Sequence, residues 1–149
     1  MREVIWRVSW RVLVQVLQTK IDMDFKIETI PHEQQRYPTC GDYEKVLSLM
    51  LIRVSKMNNE HYEFLVQLHE MVESYLCHAR DIAEEDITAF DKKFEEDRKN
   101  LQWGDELEPG DAYNAPYRRE HFFATSIERL MAAELGVDWT RYERTVQDL

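Results

Sequence analysis

One short stretch of the sequence carries side chains whose types and spacing suit metal-dependent hydrolysis. In the run Leu68-His69-Glu70-Met71-Val72-Glu73, a histidine and a glutamate lie four residues apart. On a helix, His69 and Glu73 therefore share one face and can bind a single ion. Glu70 lies about 100° around the helix axis from His69, where it can act as general base on a metal-bound water. The run differs from the zinc-binding pattern H-E-x-x-H in having Glu73 at the second ligand position.

A later stretch, residues 117–135, supplies further candidate ligands. On a helical wheel its apolar face, which includes Phe123 and Leu130, has Glu120 near the middle and His121 and Glu128 near the edge. His121 and Glu128 are seven residues apart, so they project in nearly the same direction. We therefore expect the two helices to pack face to face around Zn²⁺, with one open position for water. The predicted metal ligands are His69, Glu73, Glu120, His121 and Glu128.

The predicted position of Glu73 requires a partner for its carboxylate. On the wheel of the first helix, His69 and Glu73 fall inside a broad apolar face, whereas Glu70 falls on a narrow polar arc. A carboxylate among apolar groups costs several kcal/mol unless it is paired, hydrogen-bonded or metal-bound. A metal ion meets this need, and so does a metal-free network of histidine, glutamate and arginine side chains. Cys77 continues the four-residue spacing and is either a soft metal ligand or a small core residue.

The first half of the chain is predicted to form strands. Apolar residues alternate with polar ones over residues 4–16, which indicates a strand in a possible N-terminal extension, residues 1–22. A second short strand is expected around Phe25 and Ile27, and it ends at Pro31. Residues 31–45 are polar and turn-rich and predict a loop. Residues 46–54 are almost continuously apolar and predict a buried strand.

The second half is predicted to be helical. Helical spacing covers residues 60–80, 84–99 and 117–135, with Gly136 closing the third helix and Asp138 capping a short fourth one. Residues 100–116 predict an acidic loop. Strands followed by helices are typical of an α+β fold, here a small antiparallel or mixed sheet packed against three to four helices. A length of 149 residues fits a single domain, residues 1–149.

Composition excludes several classes of function. Nineteen basic residues against 29 acidic ones give a net charge of −10, which argues against a nucleic-acid-binding protein. No apolar run is long enough for a membrane span or a signal sequence, so we expect no membrane association. Two cysteines, Cys40 and Cys77, are too few for a disulfide framework and fit the reducing cytoplasm.

Several stretches together resemble a group of small uncharacterised phage and prophage proteins. These stretches are residues 30–37, 41–43, 53–57, 68–73, 116–125 and 133–139, and the resemblance covers residues 23–142. It implies a phage or prophage origin and a location in the cytoplasm of a bacterial cell. It implies no activity.

The order of strand, H-E-x-x-E helix and further acidic helix is similar to that of minimal zincin metallopeptidases. This similarity implies His69 and Glu73 as zinc ligands and Glu70 as the general base. It also implies Glu128 or His121 as the third ligand.

Two other functions remain open at this point. The first is a Mg²⁺-dependent nucleotide pyrophosphohydrolase resembling the MazG group, in which Glu70 and Glu73 bind the ion together with Asp86 or Asp91. The second is a non-enzymatic phage accessory or inhibitor protein, whose acidic surface binds a basic host or phage protein.

Overall fold

Three strands precede four helices in residues 23–100 and 107–149, the parts of the chain that the computed structural model describes. The strands are β1 (Asp24–Ile30), β2 (Gly41–Val46) and β3 (Leu49–Ser55). The helices are α1 (Glu60–Ala79), α2 (Glu84–Lys99), α3 (Arg118–Glu134) and α4 (Trp139–Gln147). The predicted α+β class is confirmed. The strand predicted over residues 4–16 lies outside the described residues.

The sheet is mixed, in the order β1-β3-β2. The central strand β3 pairs parallel with β1 and antiparallel with β2. Its alternate residues Met50, Ile52 and Val54 are buried, because a strand presents every second side chain to the same face. That face forms the part of the core against which α1 packs.

Two predicted boundaries in the sheet are wrong. The loop predicted over residues 31–45 gives way at Gly41 to strand β2, and the strand predicted over residues 46–54 is broken by the turn between β2 and β3. Strand β2 lies at the edge of the described sheet, where polar and charged side chains are tolerated. At the turn, Leu47 has a φ of 59°. This left-handed conformation is uncommon for leucine, so the apolar run gave no reason to predict a turn there.

The helix ends follow local capping chemistry, and their predicted positions are confirmed to within one residue. The Asn59 side chain accepts hydrogen bonds from the amides of His61 and Tyr62 at the start of α1. Gly136 follows α3 with a φ of 67°, and Asp138 caps α4. None of the helices in the described ranges is both long and apolar enough to cross a membrane.

Helix α1 packs against both the sheet and α3, and this central position brings the candidate site together. The α1 residues Leu65 and Val66 are buried in the core shared with β3. On another part of α1, the ring of Tyr62 meets that of Tyr142 from α4 with centroids 5.1 Å apart. The described end of the predicted acidic loop contains one turn of 3-10 helix, Pro109–Asp111, which packs against α3.

Candidate metal centre

Helix α1 directs His69 and Glu73 into the protein. His69 is 8% exposed and Glu73 is 4% exposed. Both lie on the same face of α1 as the core residues Leu65 and Cys77. Glu70, on the predicted polar arc of α1, is half-buried beside them and lines the cleft described below. It is half-buried because sheet residue Gly41 packs over the side of α1 that carries it.

Helix α3 presents its polar residues inward and much of its apolar surface outward. His121 and Glu128 are buried at the centre of the face that meets α1, rather than near its edge as predicted. Phe123 and Leu130 are 53% and 68% exposed, although the wheel assigned both to the packed face. The helical wheel assumes that the most apolar face is the packed one. In α3 the packed face contains ionisable groups, so this assumption predicts the wrong face.

Three side chains from the two helices converge on one point. His69 Nε2 lies 3.2 Å from Glu73 Oε2 and 3.2 Å from His121 Nδ1, and His121 Nδ1 lies 2.9 Å from Glu73 Oε2. A tetrahedral ion with bonds of about 2.0 Å separates its ligand atoms by about 3.3 Å. The observed triangle therefore has nearly the size of one face of such a tetrahedron, and His69, Glu73 and His121 could hold a metal ion.

Carboxylates lie behind both imidazole rings. His69 Nδ1 donates to Glu128 Oε2 at 2.9 Å, and the Tyr142 hydroxyl donates to the other oxygen of Glu128. The far nitrogen of His121, Nε2, faces Glu108 and Asp111 at 3.5 and 3.7 Å. In protein metal sites, a carboxylate behind the ring fixes the tautomer and orientation of the ligating histidine. This arrangement leaves the facing nitrogens of both rings free to bind an ion.

The backbone at Gly110 holds His121 in place. A Cβ atom at Gly110 would lie 2.5 Å from Nδ1 and 2.7 Å from Cδ2 of His121, closer than real Cβ contacts allow. Only glycine therefore lets this turn pass so near the ring. The neighbouring carboxylate of Asp111 is oriented by a hydrogen bond from the amide of Glu108.

The converging atoms can offer three lone pairs to one cation. With protons on the outer nitrogens of both rings, His69 Nε2, His121 Nδ1 and Glu73 Oε2 offer only lone pairs to one another. Either a metal ion or additional protons must then occupy the space between them. Burial opposes the charged form of His69, but hydrogen bonds to Glu128 and Glu73 outweigh it and raise the pKa of His69 well above its ordinary value. The donor set and geometry thus fit a cation.

Glu70 differs from the other acids of the site because it accepts no hydrogen bond from any described residue. A Cβ atom at Gly41 would lie 2.9 Å from the Glu70 carboxyl carbon, so the glycine makes room for this side chain. Burial, together with the charge of Glu73, raises the pKa of Glu70 well above its ordinary value. A carboxyl group with a raised pKa and free oxygens is suited to proton transfer.

Glu120, the remaining predicted ligand, lies apart from this cluster. It is buried at 3% exposure and forms an ion pair with Arg80, the residue that ends α1. Cys77 is likewise buried, in the core against Tyr43. The structure thus brings together four of the five predicted ligands, three of them converging and Glu128 behind His69.

A cleft of about 560 Å³ runs past the cluster, and several of its polar residues were not predicted. Tyr142, Glu108 and Asp111 support the histidines, and Asp91 and Tyr117 line the wall beside them. The run Glu108-Pro109-Gly110-Asp111 held a signal, because two acids flank a Pro-Gly turn ten residues before His121. Asp91 was considered only as a magnesium ligand in the pyrophosphohydrolase alternative. Tyr142 gave no signal, since its role arises from packing between distant elements.

Comparisons with protein-family models, with curated proteins and with solved structures find no match to this chain. The site is therefore interpreted from its own geometry.

Proposed function

We propose that the protein is a metal-dependent hydrolase of zincin-like type. The observation that carries this proposal is the triangle of His69 Nε2, Glu73 Oε2 and His121 Nδ1 at the wall of a cleft, next to the unpaired carboxyl of Glu70. Three protein ligands leave a fourth position open, as in catalytic rather than structural zinc sites.

The donor set favours Zn²⁺. Two imidazoles and one carboxylate form the His₂Glu set found in catalytic zinc sites. In the motif H-E-x-x-E, Glu73 supplies the carboxylate, and His121 from α3 supplies the second imidazole. Compared with H-E-x-x-H, the glutamate and the second histidine exchange places in the sequence, and the ligand set of two histidines and one glutamate is the same. Mg²⁺ prefers oxygen ligands, so two facing imidazoles argue against the magnesium-dependent alternative.

Each side chain then has a defined role. When bound, zinc would supply a Lewis acid that polarises a carbonyl and lowers the pKa of water in the open position. Glu70 would act as the general base and then return the proton to the leaving group, a task for which its raised pKa is suited. Glu128 positions His69, and Glu108 with Asp111 positions His121. Since a cleft of about 560 Å³ runs past the site, we take the proposed reaction to be hydrolysis of an amide or ester.

Two measurements test this proposal. Protein purified without a histidine tag is analysed for bound metal, and we expect one zinc per chain. His69→Ala and Glu73→Gln should lose the metal, whereas Glu134→Gln, an exposed position on α3, should retain it. Hydrolysis of a panel of peptides and esters is then compared in the wild-type protein and Glu70→Gln.

The expected result is that Glu70→Gln keeps the zinc but loses at least about a hundredfold in rate, the typical contribution of general acid–base catalysis. Wild-type protein that binds no divalent metal at any concentration up to 1 mM, a limit on the order of weak extracellular sites, would refute the metal centre. Metal binding without turnover of any substrate in the panel would refute the hydrolase.

A further inference from the structure

The cleft beside the metal centre is strongly acidic. Its described lining includes nine carboxylates against two arginines, Arg98 and Arg129. Most of the buried acids have a basic partner within the protein. Glu73 and Glu128 face histidines, for example, and Asp42 receives two hydrogen bonds from Arg36, from Nε at 2.6 Å and from Nη2 at 2.9 Å.

Asp91 on α2 is the exception among these buried acids. It is 7% exposed and accepts hydrogen bonds from the Tyr117 hydroxyl at 2.6 Å and from the Tyr37 hydroxyl at 3.2 Å. Within the described ranges, no lysine, arginine or histidine forms an ion pair with it. Tyr37 also lies 3.1 Å from Asp42, so the two acids share one hydroxyl, but only Asp42 has its own cation.

Burying a charged carboxylate without a counter-ion costs free energy, and this cost appears as a raised pKa of Asp91. Burial, with the nearby charge of Glu73, raises the pKa of Asp91 to about 7. The two tyrosine hydroxyls occupy about half of the roughly four lone-pair sites of a carboxylate. The remaining sites can accept hydrogen bonds from a cation that enters through the cleft.

We infer that Asp91, held by Tyr37 and Tyr117, binds the ammonium or guanidinium group of a basic side chain in the substrate. The subsite lies next to the metal centre, because the Tyr117 ring packs edge-on against His121 with centroids 6.2 Å apart. The inference deepens the proposed function by naming its substrate class, peptides with lysine or arginine near the cleaved bond. It rests on that proposal for the reaction, but the cation subsite itself is independent of it.

The test measures binding rather than turnover. Metal-stripped protein is titrated with four blocked tripeptides, acetyl-Ala-Xaa-Ala-amide, in which Xaa is arginine, lysine, citrulline or glutamate. Citrulline has nearly the shape of arginine without its charge. Binding is followed by calorimetry and by intrinsic tryptophan fluorescence, to which Trp139 in the cleft lining contributes. The same titrations are made with Asp91→Asn and with Asp86→Asn, a matched change at an exposed position of α2.

We expect the arginine or lysine peptide to bind at least tenfold more tightly than the citrulline peptide, and the glutamate peptide to bind most weakly. Asp91→Asn should remove this preference, and Asp86→Asn should keep it. Equal affinity for the arginine, lysine and citrulline peptides in the wild-type protein would overturn the inference without any variant. A preference that survives in Asp91→Asn would overturn it as well. Neither result depends on whether the protein binds zinc or cleaves a substrate.

Discussion

The contact between Glu128 and His69 allows a sharp test of how the site is held. Both oxygens of Glu128 accept hydrogen bonds, one from His69 Nδ1 and one from the Tyr142 hydroxyl. A glutamine at this position has one accepting oxygen and one NH₂ donor. In Glu128→Gln, therefore, either the ring nitrogen or the hydroxyl must face a donor instead of an acceptor.

The structure sets the expected size of the effect. An unsatisfied buried donor costs about 1–3 kcal/mol, so the metal-free protein should lose that much stability. For a chain of this length, each kcal/mol lowers the melting temperature by about 2–4 °C. Loss of a carboxylate behind a ligating histidine typically weakens metal binding about 10–100-fold. The number of zinc ions per chain should stay at one, because the three converging ligand atoms remain.

The assay is a zinc titration against a competing chelator, combined with thermal unfolding, for Glu128→Gln, Tyr142→Phe and the double variant. Removing the Tyr142 hydroxyl lets the glutamine oxygen turn toward His69, so the double variant should bind zinc more tightly than Glu128→Gln alone. Such non-additivity is the signature of residues that share a hydrogen-bond network. Glu134→Gln, on the exposed face of the same helix, is the control.

Zinc affinity in Glu128→Gln within about threefold of the wild type would refute the argument, because that result would mean that Glu128 does not orient His69. Strictly additive losses in the double variant would refute the role given to Tyr142. Both outcomes can be distinguished from general damage by the melting curve of the metal-free protein.

The remaining predictions concern the packing of His121, the ionisation of Asp91 and the removal of metal. Gly110→Ala places a Cβ atom 2.5 Å from His121 Nδ1, so we expect a loss of about 1–3 kcal/mol in unfolding free energy and weaker zinc binding, measured by denaturant melts and chelator competition. Because the pKa of Asp91 is raised from 3.8 to about 7, the native state keeps a proton that the unfolded chain has lost. The ionisation of Asp91 should therefore lower stability by about 3–4 kcal/mol as pH rises from 4 to 7. Because the raised pKa of Glu70 adds a fall of its own, urea unfolding of the metal-free protein should show a smaller fall in Asp91→Asn than in the wild type, and an unchanged fall in Asp86→Asn. Chelation of zinc supplied at 100 times its dissociation constant should lower stability by about 2.7 kcal/mol, and Glu73→Gln should show no such change in the same melts.

The helices could be predicted closely because their ends are set by local chemistry. The Asn59 cap, the left-handed Gly136 and the Asp138 cap each act on residues two to four positions away, so the sequence displays them directly. The hairpin of β2 and β3 was not predictable in the same way. Its turn depends on the positive φ of Leu47, which the rest of the fold imposes.

The candidate site shows where prediction from spacing stops. His69 and Glu73 share a helix, so a spacing of four residues was enough to place them together. The choice among Glu120, His121 and Glu128 was left open, because it required the rotation of α3, which a wheel oriented by apolar residues does not give. The ion pair of Glu120 with Arg80 resolves that choice, because it holds Glu120 at the end of α1 and turns His121 toward Glu73.

Charge balance explains why such a cluster can stay buried at all. With neutral imidazoles, Glu73 and Glu128 bring two negative charges into the space between α1 and α3, which would cost several kcal/mol if left uncompensated. Two additional protons on His69 and His121 compensate them, and so does one divalent ion bound to the same atoms. Under the proposed function, the metal-free network and the metal centre are two states of one donor set, and metal concentration and pH would decide between them. The proposed metal centre is favoured over a purely structural network by the cleft and by the Glu70 carboxyl beside it, which pairs with no described residue.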